Sequence, residues 1–237
     1  MRFYTLSLFV VFLFFSLACN SDGSFLRSLG YEPDGIGFID SIEDENRAAF
    51  EIFLKNQSLI NFKDKAGKSP VMAASAKKDG YFLSSLLNSG ANIKDFDNSK
   101  RTPLHYAVRG NAAENIETLI DQGCDPNWQD NLKRDALSSF ILQKDVENIK
   151  LFDLIISRIS DLDRRDFELK TPLILAVEMN KTEYARRLIA RKVSPLAKDF
   201  NGRTAFDHAL ELKEKGAIDQ HLFEIVRDYT QEIKDKL

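Results

Sequence analysis

Residues 97–129 read DNSKRTPLHYAVRGNAAENIETLIDQGCDPNWQ. The phrase Thr102-Pro103-Leu104-His105-Tyr106-Ala107 within this stretch returns at nearly constant distance on both sides. Ser69-Pro70 lies 33 residues before Thr102-Pro103, and Asp64, Asp97 and Asp130 follow one another at intervals of 33. Asp166 and Asp199 are again 33 apart, with Thr171-Pro172-Leu173 and Thr204-Ala205-Phe206 reopening the phrase after each. Only the step from Asp130 to Asp166 is longer, by three residues. A fixed period of this length marks stacked supersecondary units, each too small to bury its apolar face alone.

Within a unit, the opening Thr or Ser suits a helix N-cap, and Pro suits the first helical position, where its missing N–H costs nothing. Small Ala74, Ala107 and Ala176 let neighbouring helices approach closely. The pairs Leu86-Leu87, Leu119-Ile120, Ile155-Ile156 and Leu188-Ile189 close a second helix against the adjacent unit, and Gly90 and Gly123 supply a left-handed stop. The third unit departs from the pattern. Asp135-Ala136-Leu137-Ser138 replaces Thr-Pro-Leu-His, Phe140 replaces the small Ala, and three extra residues fall between Leu142 and Ile155, so looser or shifted packing is expected there. Ile159 and Lys192 stand where Gly would, and turns of a different shape are expected at both.

The TPLHYA phrase, followed by Leu119-Ile120 and Gly123-Cys124-Asp125-Pro126-Asn127, resembles the ankyrin repeat family. The resemblance implies an all-α ankyrin-repeat solenoid, with helix-turn-helix repeats joined by β-hairpin loops. Its repeats would span 64–96, 97–129, 130–165 and 166–198, between an N-terminal cap over 36–63 and a C-terminal cap over 199–237. It implies a structural His105, hydrogen bonding between adjacent repeats, and a small packed residue at Cys124. It also implies a protein partner, bound through hairpin tips and the exposed side of the first helix, which line a concave groove. Carried over repeat by repeat, the groove positions put Lys68, Arg101, Arg134, Lys170 and Arg203 in a row of five cations just before each helix opening, with Arg109 on the first helix. Such a row fits an acidic partner surface. Trp128, Leu132, Phe167 and Phe200 fall at or beside hairpin tips, and apolar side chains so placed anchor interfaces.

The N-terminus is the second informative stretch. Arg2 supplies a positive start, Phe3 to Ala18 is a nearly unbroken apolar run of 16 residues, and Ala18 precedes Cys19. This is the pattern of a secretory signal, slightly under the ~17 to 25 residues that a spanning helix needs. Ser16-Leu17-Ala18-Cys19 resembles a bacterial lipobox, with Leu17 one step late, and implies cleavage after residue 18 and lipidation of Cys19. A simply cleaved signal and a retained anchor are the alternatives. Losing Arg2 takes the formal charge from -3 to -4. Residues 19–35, with Gly23, Gly30, Pro33 and Gly35, are expected to form a tether.

The chemistry expected of an enzyme is missing from the pattern. His105, His208 and His221 are the only histidines, and none has a partner at metal-motif spacing. Asp207 and His208, adjacent on an expected helix, point different ways. Gly67-Lys68-Ser69 lacks the leading Gly of a phosphate loop, and the Asp95, Asp97, Ser99 alternation has Lys100 and Tyr106 where a calcium loop needs Gly and Glu. With 33 Lys and Arg against 36 Asp and Glu, no basic excess exists to meet nucleic acid. The expectation is a non-enzymatic module without cofactor, binding a protein from a lipid anchor on a bacterial membrane. The competing expectations are an accessory or protective subunit of a periplasmic enzyme and a self-associating envelope organiser.

Overall fold

A computed structural model describes residues 22–143 and 148–237. The helices run in pairs along a single stack. Residues 22–28 form α1. The pairs then follow as α2 (Gly35–Glu43) with α3 (Arg47–Leu54), α4 (Pro70–Ser75) with α5 (Tyr81–Asn88), and α6 (Pro103–Arg109) with α7 (Ala113–Asp121). They continue as α8 (Ala136–Ile141) with α9 (Ile149–Arg158), α10 (Pro172–Glu178) with α11 (Thr182–Ala190), and α12 (Ala205–Glu214) with α13 (Gln220–Lys234). First helices pack in the series α2, α4, α6, α8, α10, α12, each against the one before and the one after and against its own second helix. Buried side chains form one cluster running the length of the stack, from Phe38 and Phe50 through Leu104 and Leu119 to Leu222 and Val226. The result is a helical solenoid.

The recurring aspartates hold the turns that set the period. Asp97 Oδ1 accepts the backbone N–H of both Ser99 and Arg101 at 2.8 Å, while the Asp97 N–H donates to the Arg101 carbonyl at 3.0 Å. Asp64, Asp130, Asp166 and Asp199 each accept the same two N–H groups, two and four residues on. These are Asx turns, and each needs a left-handed residue three places after the aspartate. Gly67, Lys100, Lys133, Leu169 and Gly202 all have φ between 54° and 80° there. The turns stack through single backbone bonds, such as Asn98 N–H to the Ala66 carbonyl at 2.9 Å. Among the described residues no strand is formed, so the loops are stacked turns and not the β-hairpins expected from sequence.

Helix starts follow the sequence with one exception. Thr204 and Asp207 cap each other's backbone N–H, and Thr171 Oγ1 accepts from Ile174 at 3.4 Å. Ser69 makes no such bond, and its hydroxyl is buried without a partner. Gly90 and Gly123 take left-handed turns at φ 84° and 92°. Lys192 adopts φ 61°, so its turn keeps the glycine conformation, contrary to expectation. Ile159 does not: it caps α9 in an extended conformation, φ -93° and ψ 130°.

The shifted packing expected in the third repeat is found, and one further expectation is corrected. Phe140 is fully buried and its ring meets Phe152 at 6.4 Å and Tyr184 at 5.8 Å, the latter two stacked at 4.2 Å. A block of three aromatic rings, with Tyr184 reaching in from α11 of the fourth repeat, therefore spaces the helices that small alanines elsewhere draw together. The stretch expected as a tether is helical over 22–28 and buries Leu26 and Tyr31 against the first helix pair. Its glycines and serines hid a short amphipathic turn. The signal segment and Cys19 lie outside the described residues. Among those described, no helix is long and apolar enough to cross a membrane.

Candidate protein-binding surface

The stacked turns present one residue of each repeat in the same place: Lys65, Asn98, Asn131, Phe167 and Phe200. In the first half of the stack this position is tied back to its neighbour. Asn98 Nδ2 donates to the Lys65 carbonyl at 3.0 Å, and Asn131 Nδ2 donates to the Asn98 carbonyl at 3.1 Å. Phe167 and Phe200 cannot continue this amide ladder. Their backbones keep the stack, donating to the Leu132 and Glu168 carbonyls at 2.9 Å each. Their rings stand in solvent, 67% and 79% exposed.

Between these rings lies an open groove of about 740 Å³, lined by Phe167, Leu169 and Phe200 together with Glu168, Lys170, Asp199, Asn201 and Arg203. Its volume suits a side chain or short segment of a partner. Leu132 continues the apolar edge and is 46% exposed. Sequence reasoning missed Leu169, partly exposed beside the groove. The signal was present, because the other repeats hold Gly or Lys at its left-handed position, and an apolar side chain there projects from a tight turn.

The expected row of five free cations is not found. Lys68 pairs with Glu43. Arg101 bonds Asp97 at 2.7 Å and lies over the Tyr106 ring. Lys170 is held by Glu168 at 2.7 Å and Glu178 at 2.9 Å, and Arg203 by Glu211 at 2.8 Å and Asp199 at 3.3 Å. Burial alone would lower the Lys170 ammonium, but hydrogen bonds to Glu168 and Glu178 outweigh it and raise its pKa above the ordinary lysine value. The same contest, with Asp97 as partner, raises Arg101. Only Arg134 of the five finds no carboxylate among the described residues, and its Nε is buried without a partner. Fixed intramolecular carboxylates thus neutralise four of the five, so little net positive field remains to steer an acidic partner.

The other expected positions divide. Arg109 is exposed at the end of α6. Trp128 is half-buried: it stacks on Phe96 at 5.4 Å and donates Nε1–H to the Lys100 carbonyl at 2.8 Å, bracing two turns together. His105 Nδ1 meets Thr102 Oγ1 at 2.9 Å, and its Nε2 reaches the Arg134 carbonyl at 3.0 Å in the next repeat. Burial, the larger influence, pushes the imidazole pKa below the ordinary value. The Cys124 thiol donates to the Ile93 carbonyl at 3.3 Å, and burial pushes it up to about 12, the state of an unreactive packed thiol. Among the described residues no group of His, Cys, Asp and Glu could hold a metal ion.

Fold and surface together define a helical repeat solenoid with a shaped, partly apolar edge. The family model "Ankyrin repeats (3 copies)" matches residues 39–130, beginning inside the stretch expected as an N-terminal cap. The chain is similar to neurogenic locus notch homolog protein 1 of Xenopus laevis, 28% identical over 166 residues, or 63% of this chain and 6% of that one. It is equally similar to neurogenic locus notch homolog protein 2 of Homo sapiens, 28% identical over 167 residues, 63% of this chain and 7% of the other. Zygote-specific protein 3 of Chlamydomonas reinhardtii is 26% identical over 136 residues, 57% of this chain and 34% of its own. The chain therefore spans less than a tenth of the notch homologues and about a third of the algal protein. Ankyrin repeats typically mediate protein–protein interaction and are generally not enzymes.

Proposed function

We propose that this chain is a protein-binding module, exported and held on a bacterial membrane by lipid on Cys19, which takes its partner at the groove between Phe167 and Phe200. The observation that carries the binding site is the pair of exposed rings at two successive turns where the asparagine ladder stops. Exposed aromatic side chains around a groove are the elements that supply binding energy at interfaces. Because four of the five expected cations are already neutralised, the partner is recognised mainly by apolar insertion, with Arg134 and Arg109 left to meet an acidic group at the rim. Support for the anchor is the sequence Ser16-Leu17-Ala18-Cys19 after a positive start and an apolar run.

The binding reading is tested with a photo-crosslinking residue at position 200 of the full chain in its native envelope, followed by identification of the products. A product with a different protein, lost on Phe167→Asn, is the expected result. Products with copies of the chain alone would favour the self-associating organiser, and no product at all would overturn the groove. For the anchor, Cys19→Ser is expected to release the protein from membranes and abolish fatty-acid labelling; persistent labelling would rule Cys19 out.

A further inference from the structure

The docked start of the chain gives the anchored module a defined foot. In α1, Leu26 is buried against the first helix pair, and Asp22 lies 3.8 Å from Lys55 of that pair. Phe25 on this helix and Leu29, just past its end, face outward. The Leu29 N–H donates to the Phe25 carbonyl at 3.1 Å, an i to i+4 bond that places the two side chains one above the other. Phe25 is 48% and Leu29 38% exposed. Ile36, in the first turn of the neighbouring α2, is a third exposed apolar side chain on this terminal layer.

From the position of this face we infer that Phe25 and Leu29 rest on the lipid bilayer surface, so that the solenoid stands on the membrane by its N-terminal layer. The inference rests on the lipid anchor proposed above. Cys19 precedes Asp22 by three residues, which span at most about 10 Å. A lipidated Cys19 would therefore hold α1 within that distance of the headgroups, and the reach of about 55 Å that a free 16-residue tether would allow is lost. Two half-exposed side chains bury too little area to bind a membrane unaided. Held there by the lipid, however, their insertion becomes an intramolecular step at high effective concentration. Arg27 pairs with Glu32 at 3.4 Å and Asp22 with Lys55 at 3.8 Å, so α1 leaves no free cation to seek anionic lipid. The groove at Phe167 and Phe200 belongs to repeats well along the stack from this foot and would stay open to a partner.

The test uses the lipidated full chain in phosphatidylcholine vesicles, carrying an environment-sensitive dye at Leu29→Cys or, as a reference, at Lys236→Cys. Buried Cys124 does not compete for the label. Flotation with the vesicles, together with loss of iodide quenching at position 29 but not at 236, is expected, and Phe25→Ser should restore quenching at 29. Full quenching at 29 on protein that still floats would overturn the foot while leaving the anchor intact. Protein that no longer floats would overturn both. Shielding at 29 that persists after detergent removes the vesicles and vanishes on dilution would assign the face to a second copy of the chain.

Discussion

His208 Nε2 lies 2.9 Å from Asp199 Oδ2, the same distance at which Tyr106 donates its hydroxyl to Asp97 Oδ2. Both side chains stand nine residues after the aspartate that closes their turn, so the C-terminal unit has an imidazole where the second repeat has a phenol. His208 also brings Nδ1 within 3.2 Å of Glu178 on α10, tying the last unit to the repeat before it. Burial would raise the Asp199 carboxyl, but the Arg203 N–H and His208 outweigh it and hold its pKa below the ordinary value. His208→Ala removes a hydrogen bond to a buried carboxylate and leaves space where the ring packed. It is expected to cost about 2 to 3 kcal/mol, with hydrogen exchange rising first in 205–234. His208→Tyr, copying Tyr106, should recover part of the loss. If it recovers none, the bond to Asp199 is not what holds this unit.

Phe140 stands where three other repeats have Ala74, Ala107 and Ala176, so Phe140→Ala restores the repeat pattern. It is nonetheless expected to destabilise by about 3 to 5 kcal/mol, because the ring fills space against Phe152 and Tyr184 that no small residue can close. Urea unfolding followed in the third repeat checks this. A neutral or stabilised variant would show that the helices close up around alanine.

What the sequence disclosed, and what it hid, follows the range of each interaction. The 33-residue spacing of the aspartates and the Thr-Pro openings located the helix pairs, because caps and turns are settled within five residues. Ion pairing was hidden: Lys68 finds Glu43 25 residues back, and Lys170 finds Glu178 across its own helix. Period says which turn stacks on which, but not which flexible side chains meet. The amide ladder was half legible, since Asn98 and Asn131 are one period apart. The short α1 was illegible because only Leu26 and Tyr31 are buried there, too few to show a helical period. Lys192 in a glycine conformation was also beyond reach, since an exposed lysine can take φ 61° at a modest strain that no sequence pattern marks.

Asp135 is the N-cap of α8, where α6, α10 and α12 have Thr. Its Oδ1 accepts the Ser138 N–H at 2.8 Å, but Oδ2 is buried with no partner. Burial, the largest influence, raises its pKa above the ordinary carboxylate range. A carboxyl whose folded pKa exceeds its unfolded value carries a penalty that is full above the folded pKa, fades as pH falls through it and is gone below the unfolded pKa. Asp135→Thr keeps the cap and removes the charge, so it should stabilise by about 1 kcal/mol at pH 7. The gain should shrink toward pH 4 as the parent chain protonates. Urea midpoints at the two pH values decide it, and a gap that widens on acidification would contradict the assignment.

Phe167 and Phe200 pose the opposite question, whether two large apolar side chains serve the fold at all. They are 67% and 79% exposed, and each stands where 98 and 131 have an asparagine that bonds the preceding turn. In Phe167→Asn the new amide would reach the Asn131 carbonyl, and in Phe200→Asn the carbonyl of residue 167. Solvent-exposed hydrogen bonds of this kind contribute about 0.5 kcal/mol each. The double variant is therefore expected to be as stable as the parent chain, or more stable by up to about 1 kcal/mol, in thermal and urea unfolding. Binding lost by such a variant could not be blamed on unfolding. If the variant instead lost more than about 1 kcal/mol, a size that needs buried area, the rings would be packing elements of the solenoid, and the apolar groove would lose its claim to a partner.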